Sequence, residues 1–176
     1  MKTKSKWKPD LQERGRFKVT SGEIVLCDPC YFGEESRTAL GGEWVGLTAE
    51  GYSLIFSNPR NPGKQKRTAI LVACHAGFLR NAKTFLRGAT PKGLTRVQEI
   101  LDVDSGQMCV FDGMIFGEQH YEECCQKSNP SGFVGDFGFV TDTGDGDGSY
   151  KATIWKNQDN QVVAVKVVFY RASEVF

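Results

Sequence analysis

The C-terminal part of the chain constrains the fold most, because two apolar runs there flank a short polar segment. Residues 150–155 and 162–170 lie on either side of residues 157–160, which are typical of a turn. In the second run, the odd-numbered and the even-numbered positions are both apolar, except at Lys166. A strand with two apolar faces is covered on both sides. The sequence therefore predicts a terminal hairpin whose second strand lies inside a buried sheet.

The rest of the chain shows the same short runs, rich in β-branched and aromatic residues and separated by turns with many of its 20 glycines. Residues 117–127 are the exception, since their spacing favours a short helix that ends before an Asn–Pro pair. We therefore predict a mainly β protein, either a β-sandwich or a partly open barrel. It should carry one short helix near residues 117–127.

Charge divides the chain unevenly. Residues 1–18 contain seven basic and two acidic residues and so carry a net charge of +5, which leaves −4 for the remainder. We expect residues 1–17 to form a flexible basic arm and residues 18–176 to form a single β-rich domain. The arm permits contact with nucleic acid, although a solvated terminus is the simpler interpretation.

No apolar run approaches the ~18 residues that span a membrane, and no apolar segment follows the basic start. These two features predict a cytoplasmic protein that does not associate with membranes.

Three acidic, glycine-rich blocks adjoin the predicted strands. The first lies within residues 21–31, the second is residues 103–107 and the third is residues 144–150. If the strand ends meet at one rim, the blocks form a polar, Asp-rich site on a β scaffold. The alternative is that each carboxylate only accepts backbone hydrogen bonds within its own turn. The candidate ligand-binding residues are Asp28, Tyr31, Asp104, Gln107, Asp112, Asp145, Asp147 and Tyr150.

Clustered carboxylates would also suit a divalent cation, which gives a metal-assisted hydrolase as an alternative function. The third block is not an EF-hand, because Lys156 occupies the twelfth position counted from Asp145, where a glutamate is required. A zinc-stabilised adaptor is a second alternative, with a Cys₃His ligand set. Its candidate ligands are Cys27, Cys30, His120 and Cys124. Buried, unreactive thiols are the simpler interpretation of these cysteines.

Motifs that define a reaction are missing from the sequence. It contains no G-x-S-x-G elbow, no H-E-x-x-H pair and no phosphate-binding G-x-x-x-x-G-K-[ST] loop. His75 and His120 are the only histidines available as general bases. We therefore predict no cofactor and expect a non-enzymatic binding protein for a small ligand or a protein partner.

Taken together, the three blocks resemble a family of small bacterial and phage proteins of unknown function. The resemblance covers about residues 18–171 and rests on the segments 21–31, 103–107 and 146–150. It implies one β-rich domain and a bacterial or phage setting, in which a component of host immunity is the suggested partner. The chain departs from the family pattern at Gly144 and Asp145, where a glycine–aromatic pair is commoner.

Overall fold

The computed structural model describes residues 11–31, 36–55, 63–115, 117–128, 130–144 and 146–170. Within these residues the chain forms eleven strands and two short α-helices. The strands are β1 Leu11–Val19, β2 Glu23–Cys27, β3 Arg37–Thr38, β4 Gly42–Ile55, β5 Gly63–His75, β6 Thr95–Val103, β7 Gln107–Asp112, β8 Ser131–Val134, β9 Gly138–Asp142, β10 Gly148–Lys156 and β11 Val162–Val168. The helices are α1 Ala82–Leu86 and α2 Tyr121–Lys127.

The strands form two antiparallel sheets that pack face to face. The six-stranded sheet has the order β1-β4-β5-β11-β10-β6, and the five-stranded sheet has the order β3-β2-β7-β9-β8. This arrangement confirms the predicted mainly β, sandwich-like fold, and the described residues form no closed barrel. None of the helices among them is long and apolar enough to cross a membrane.

The two most specific predictions of local structure are confirmed. Strands β10 and β11 form the C-terminal hairpin, and β11 lies between β10 and β5. Its central position explains why both of its faces are apolar. Helix α2, preceded by a 3-10 turn at Glu118–His120, lies where residues 117–127 predicted a helix.

Side chains from both sheets interdigitate between them. Phe139 of β9 lies so close to Gly46 of β4 that a Cβ atom on Gly46 would come within 2.7 Å of the ring. On the outer face of the six-stranded sheet, Phe85 of α1 packs against Trp155 with ring centroids 4.8 Å apart. Both side chains are fully buried, and burial of one large apolar side chain stabilises a fold by about 1.5–3 kcal/mol.

A second, smaller apolar cluster lies on the outer face of the five-stranded sheet. Cys124 of α2 packs there against residues of β2, β7, β8 and β9. The sheet members are Val25, Cys27, Cys109, Phe111, Val134 and Val140. The sandwich is therefore covered by one short helix on each side.

Three local features differ from the sequence-based expectation. The sequence of residues 43–47 and of residues 52–57 favours two separate strands. The structure instead contains the single strand β4 over residues 42–55, with a bulge at Ala49/Glu50. The alternation of Phe133, Phe137 and Phe139 with Gly or Asp predicts one face of a single strand. Phe133 and Phe139 instead lie opposite each other on two strands of a hairpin, because Gly135 turns the chain at φ +54°. Helix α1 had no clear signal in the sequence.

The predicted basic arm, residues 1–17, overlaps the first strand. Residues 11–17 belong to β1, which pairs with β4 from Leu11 to Val19. Residues 1–10 lie outside the described part of the chain.

Candidate functional site

Asp28 directly follows β2 and joins two of the three acidic blocks. Its Oδ2 accepts hydrogen bonds from the backbone N–H groups of Asp104 and Ser105, both at 2.7 Å. Its Oδ1 accepts from the Cys30 N–H at 2.8 Å and from the Ser105 hydroxyl at 2.6 Å. The side chain is fully buried. Asp28 therefore holds the turn at 104–106 against the turn at 28–30.

The ionised form of Asp28 is stabilised by these contacts. Burial is the largest single influence and raises the pKa of the carboxyl group. The hydrogen bonds from Cys30 and Ser105 together outweigh it, so the pKa lies below its ordinary value. Asp28 thus remains a carboxylate near neutral pH although it is buried.

Tyr31 and Asp104 form the exposed side of this junction. The Tyr31 hydroxyl donates a hydrogen bond to Asp104 Oδ2. That hydrogen bond is the main reason why the pKa of Tyr31 rises to about 12. The pair therefore presents a neutral phenol beside the Asp104 carboxylate.

Tyr31 borders a groove of about 200 Å³, which we call the acidic groove, and Asp104 adjoins this groove through its hydrogen bond with Tyr31. Asp28 and Tyr31 lie on one side, and Ile100, Leu101 and Asp102 of β6 on the other, with Cys27 completing the lining. A larger, more open cleft of about 780 Å³ lies on the far side of Ile100 and is lined by β10 and the end of β11, including Tyr150 and Lys151.

The third acidic block also reaches the turn at 104–106. The Thr143 N–H donates to the Gly106 carbonyl at 3.0 Å, and Gly148 pairs with Val103. The Tyr150 hydroxyl donates to the Gly146 carbonyl at 2.6 Å, which closes the loop on itself. Asp147 is exposed, and Asp145 lies outside the described residues.

Asp112 lies at the other end of β2 from Asp28, because Ile24 pairs with Asp112 and Cys27 with Cys109. Its Oδ2 accepts from the Thr20 N–H at 2.6 Å, the Thr20 hydroxyl at 2.8 Å and the Ser21 N–H at 3.1 Å. Burial raises the pKa of Asp112, but the hydrogen bonds from Ser21 and Thr20 bring it below the ordinary value. The structure therefore does not bring Asp112 to the acidic groove.

Gln107 lies behind the groove and not on its lining. Its Nε2 donates to Cys125 Sγ at 3.3 Å. Its buried Oε1 has no hydrogen-bond partner in the described part of the chain. Gln107 therefore links β7 to α2.

The four candidate zinc ligands do not surround one point. Cys27 Sγ lies 3.8 Å from Cys109 Sγ, and Cys124 packs in the same apolar cluster. His120 instead packs edge-on against Phe137, with ring centroids 4.9 Å apart. Burial raises the pKa of both Cys30 and Cys124 to about 12, so these thiols stay protonated. Among the described residues, no group of three or more His, Cys, Asp or Glu side chains is arranged to hold a metal ion.

No pattern in the sequence indicates the β6 side of the groove. Ile100, Leu101 and Asp102 belong to no local motif, and the hydrogen bonds from Asp104 and Ser105 to Asp28 are what hold the end of β6 beside the turn that follows β2. Alternation along a predicted strand could have placed Asp102 outward, but not next to the first block.

Comparisons of the chain with models of protein families, with curated proteins and with solved structures found no match. The resemblance described above therefore stays a prediction. What the site can do must be argued from its own geometry.

Proposed function

We propose that this protein is a non-enzymatic binding protein and that its acidic groove takes a positively charged group. The group belongs either to a small ligand or to a lysine or arginine side chain of a protein partner. One observation carries the proposal. Asp28 locks two turns together with four hydrogen bonds, and the Tyr31–Asp104 pair stands at the edge of the resulting groove.

The rigidity of the two turns supports a binding role. All four hydrogen bonds of Asp28 go to the turns at 28–30 and 104–105, so the groove is formed before a ligand arrives. A preformed site loses less conformational entropy on binding than a flexible one. Asp28 itself serves as a structural anchor, whereas Asp104 is exposed and available.

The charge of the groove sets the sign of its ligand. Asp102 and Asp104 accept hydrogen bonds from the hydroxyl groups of Ser149 and Tyr31. Neither carboxylate forms an ion pair with a lysine, arginine or histidine in the described residues. An ammonium or guanidinium group would supply the missing opposite charge through charge-assisted hydrogen bonds.

The size of the groove limits what enters it. Sites for drug-sized ligands measure about 300–1,000 Å³, and the acidic groove at about 200 Å³ is smaller. It matches a single side chain or a short amine, whose methylene groups would contact Ile100 and Leu101. The partner that the family resemblance suggests, a component of host immunity, would bind here through such a side chain.

The two alternative functions have less support. A metal-assisted hydrolase would need carboxylate oxygens that are free to coordinate, but Asp28 and Asp112 already accept several hydrogen bonds each and lie at opposite ends of β2. A zinc-stabilised adaptor would need its four ligands at one point. Cys27 and Cys124 instead lie in an apolar cluster and His120 packs on Phe137, and no three of the described His, Cys, Asp or Glu residues are grouped to hold a metal ion.

The test is an NMR titration with N-acetyl-arginine N-methylamide, and the matched glutamate derivative serves as the charge control. We expect amide shifts at residues 28–31 and 100–106 with the arginine probe only, at an affinity near millimolar. Asp104→Asn and Tyr31→Phe should weaken binding, whereas Asp147→Asn on the neighbouring turn should not. Equal shifts with both probes, or binding that Asp104→Asn leaves unchanged, would refute the proposal.

A further inference from the structure

Strand β6 is the least protected edge of the sandwich. It is nine residues long and ends the six-stranded sheet, where it pairs with β10 from Gly148 to Lys156 without a register shift. No second strand lies beside it in the described part of the chain. An open strand edge of this length is a template for pairing with another strand.

The other three edges carry features that oppose such pairing. Strands β3 and β8 have only two and four residues. Strand β1 is interrupted by a bulge between Glu13 and Gly15 and carries several basic residues. Bulges, short edges and charges are the usual means by which proteins block edge-to-edge pairing. Strand β6 has neither the bulge nor the short length.

Exposed apolar side chains also mark β6. Ile100 is 64% exposed and Val97 is 41% exposed, and they are two of the four large apolar residues on the surface of the described chain. They lie on opposite faces of the strand. Pairing at this edge would therefore cover apolar surface on both faces of the sheet.

The sequence of β6 is complementary to itself in the antiparallel direction. When two copies pair about Glu99, Arg96 of each copy lies opposite Asp102 of the partner subunit. Val97 lies opposite Leu101 of the partner subunit, and Gln98 opposite Ile100 of the partner subunit. Residues that are opposite in an antiparallel pair project from the same face, so both charge pairs can form.

The charges involved are accessible. Arg96 is exposed and donates one N–H group to the Gly88 carbonyl, which leaves other guanidinium N–H groups for a carboxylate. Asp102 accepts from Ser149 through Oδ1, and its Oδ2 is still available. Glu99 would fall on the two-fold axis, and Arg37 balances its charge through an ion pair at 2.6 Å.

We infer that two copies of this chain pair through β6 into a two-fold symmetric dimer with one continuous twelve-stranded sheet. Such an interface is isologous, so every contact occurs twice. The dimer and the proposed ligand share part of β6, because Ile100, Leu101 and Asp102 also line the acidic groove. The two are tested at different residues. Arg96 is not part of the groove lining and reports on the dimer, whereas Asp104 and Tyr31 lie outside β6 and report on ligand binding.

The test uses charge reversal followed by sedimentation velocity. The wild-type protein should be a dimer at micromolar concentration. Arg96→Glu and Asp102→Arg each place two like-charged pairs across the interface and should weaken dimerisation by about tenfold or more. An equimolar mixture of the two variants should form a heterodimer. Across that interface, position 96 of each variant lies opposite position 102 of the other, and the two positions again carry opposite charges.

Asp147→Asn, which removes an exposed charge outside β6, should leave the dimer intact. Circular dichroism and thermal unfolding of each variant distinguish loss of dimerisation from loss of folding. A monomeric wild-type protein would overturn the inference, as would a mixture in which both variants remain monomers. Dimers that survive both single reversals would place the interface elsewhere.

Discussion

Replacing Asp28 with asparagine should destabilise the fold more than any substitution of an exposed acidic residue. The carboxylate accepts four hydrogen bonds and is fully buried, and the amide replaces one of its two oxygens with an NH₂ group. The NH₂ group faces two hydrogen-bond donors in either orientation of the amide. They are the Asp104 and Ser105 N–H groups in one orientation, and the Cys30 N–H and the Ser105 hydroxyl in the other. The Ser105 hydroxyl can rotate to accept instead, so the favoured orientation places the NH₂ group toward Cys30 and Ser105 Oγ.

In that orientation the variant loses one charge-assisted hydrogen bond, which leaves the Cys30 N–H unsatisfied. The loss of such a bond costs about 1.5–3 kcal/mol, so we expect the free energy of unfolding to fall by about that amount. The melting temperature should fall by roughly 5–10 °C for a chain of this size. Asp147→Asn, on an exposed turn, should change stability by less than about 0.5 kcal/mol.

Urea unfolding followed by tryptophan fluorescence measures the difference, since Trp44 and Trp155 are fully buried. The pH dependence provides a second test. Because the pKa of Asp28 is lowered in the folded state, its contribution is present above the unfolded pKa of about 3.9 and is lost as the pH falls through the lower folded pKa. If Asp28→Asn and Asp147→Asn unfold at the same urea concentration, Asp28 does not anchor the two turns.

Three further predictions concern packing, titration and thiol reactivity. Gly138→Ala should lower the free energy of unfolding by about 1–3 kcal/mol, because the new Cβ would lie 2.1 Å from the Phe111 ring. Gly41→Ala is the control and should cost less, because its new Cβ would lie 3.5 Å from the nearest atom. Equal urea midpoints for the two variants would contradict this prediction. Burial raises the pKa of Asp142, so the stability it contributes is complete below about pH 3.9 and is lost as the pH rises through the folded pKa. Asp142→Asn should remove that decline, and parallel pH–stability curves for the two proteins would refute the assignment. Of the six free thiols, exposed Cys125 should react fastest with a disulfide reagent in the native protein, and half-buried Cys30 should react more slowly because its pKa is raised to about 12. All six should react after unfolding. Three or more fast native thiols would contradict the buried positions of Cys27, Cys74, Cys109 and Cys124.

The fold could be predicted where the sequence carried its own periodicity. Residues 162–170 are apolar on both faces, and β11 lies between two strands of the larger sheet. The same reasoning divided β4 into two strands, at residues 43–47 and 52–57. A bulge keeps the strand continuous there, and the long pairing of β4 with β5 outweighs the local preference.

The site was predictable in its parts but not in its assembly. The sequence placed Asp28 and Asp104 at strand ends, and the structure shows that the first binds the backbone of the second block. Asp112 occurs in a similar sequence context, yet it lies at the opposite end of β2 and anchors Thr20 and Ser21 instead. The order and register of the strands in each sheet determine which strand ends lie next to each other. No local motif encodes that order or that register.

The most direct test of the account is to locate a bound cationic probe by intermolecular NOEs. With N-acetyl-arginine N-methylamide at saturation, we expect NOEs between its side-chain methylene protons and the methyl groups of Ile100 and Leu101, which line the acidic groove. Those NOEs should disappear in Asp104→Asn. NOEs to another surface, or none at saturation, would show that the groove does not bind a positively charged group.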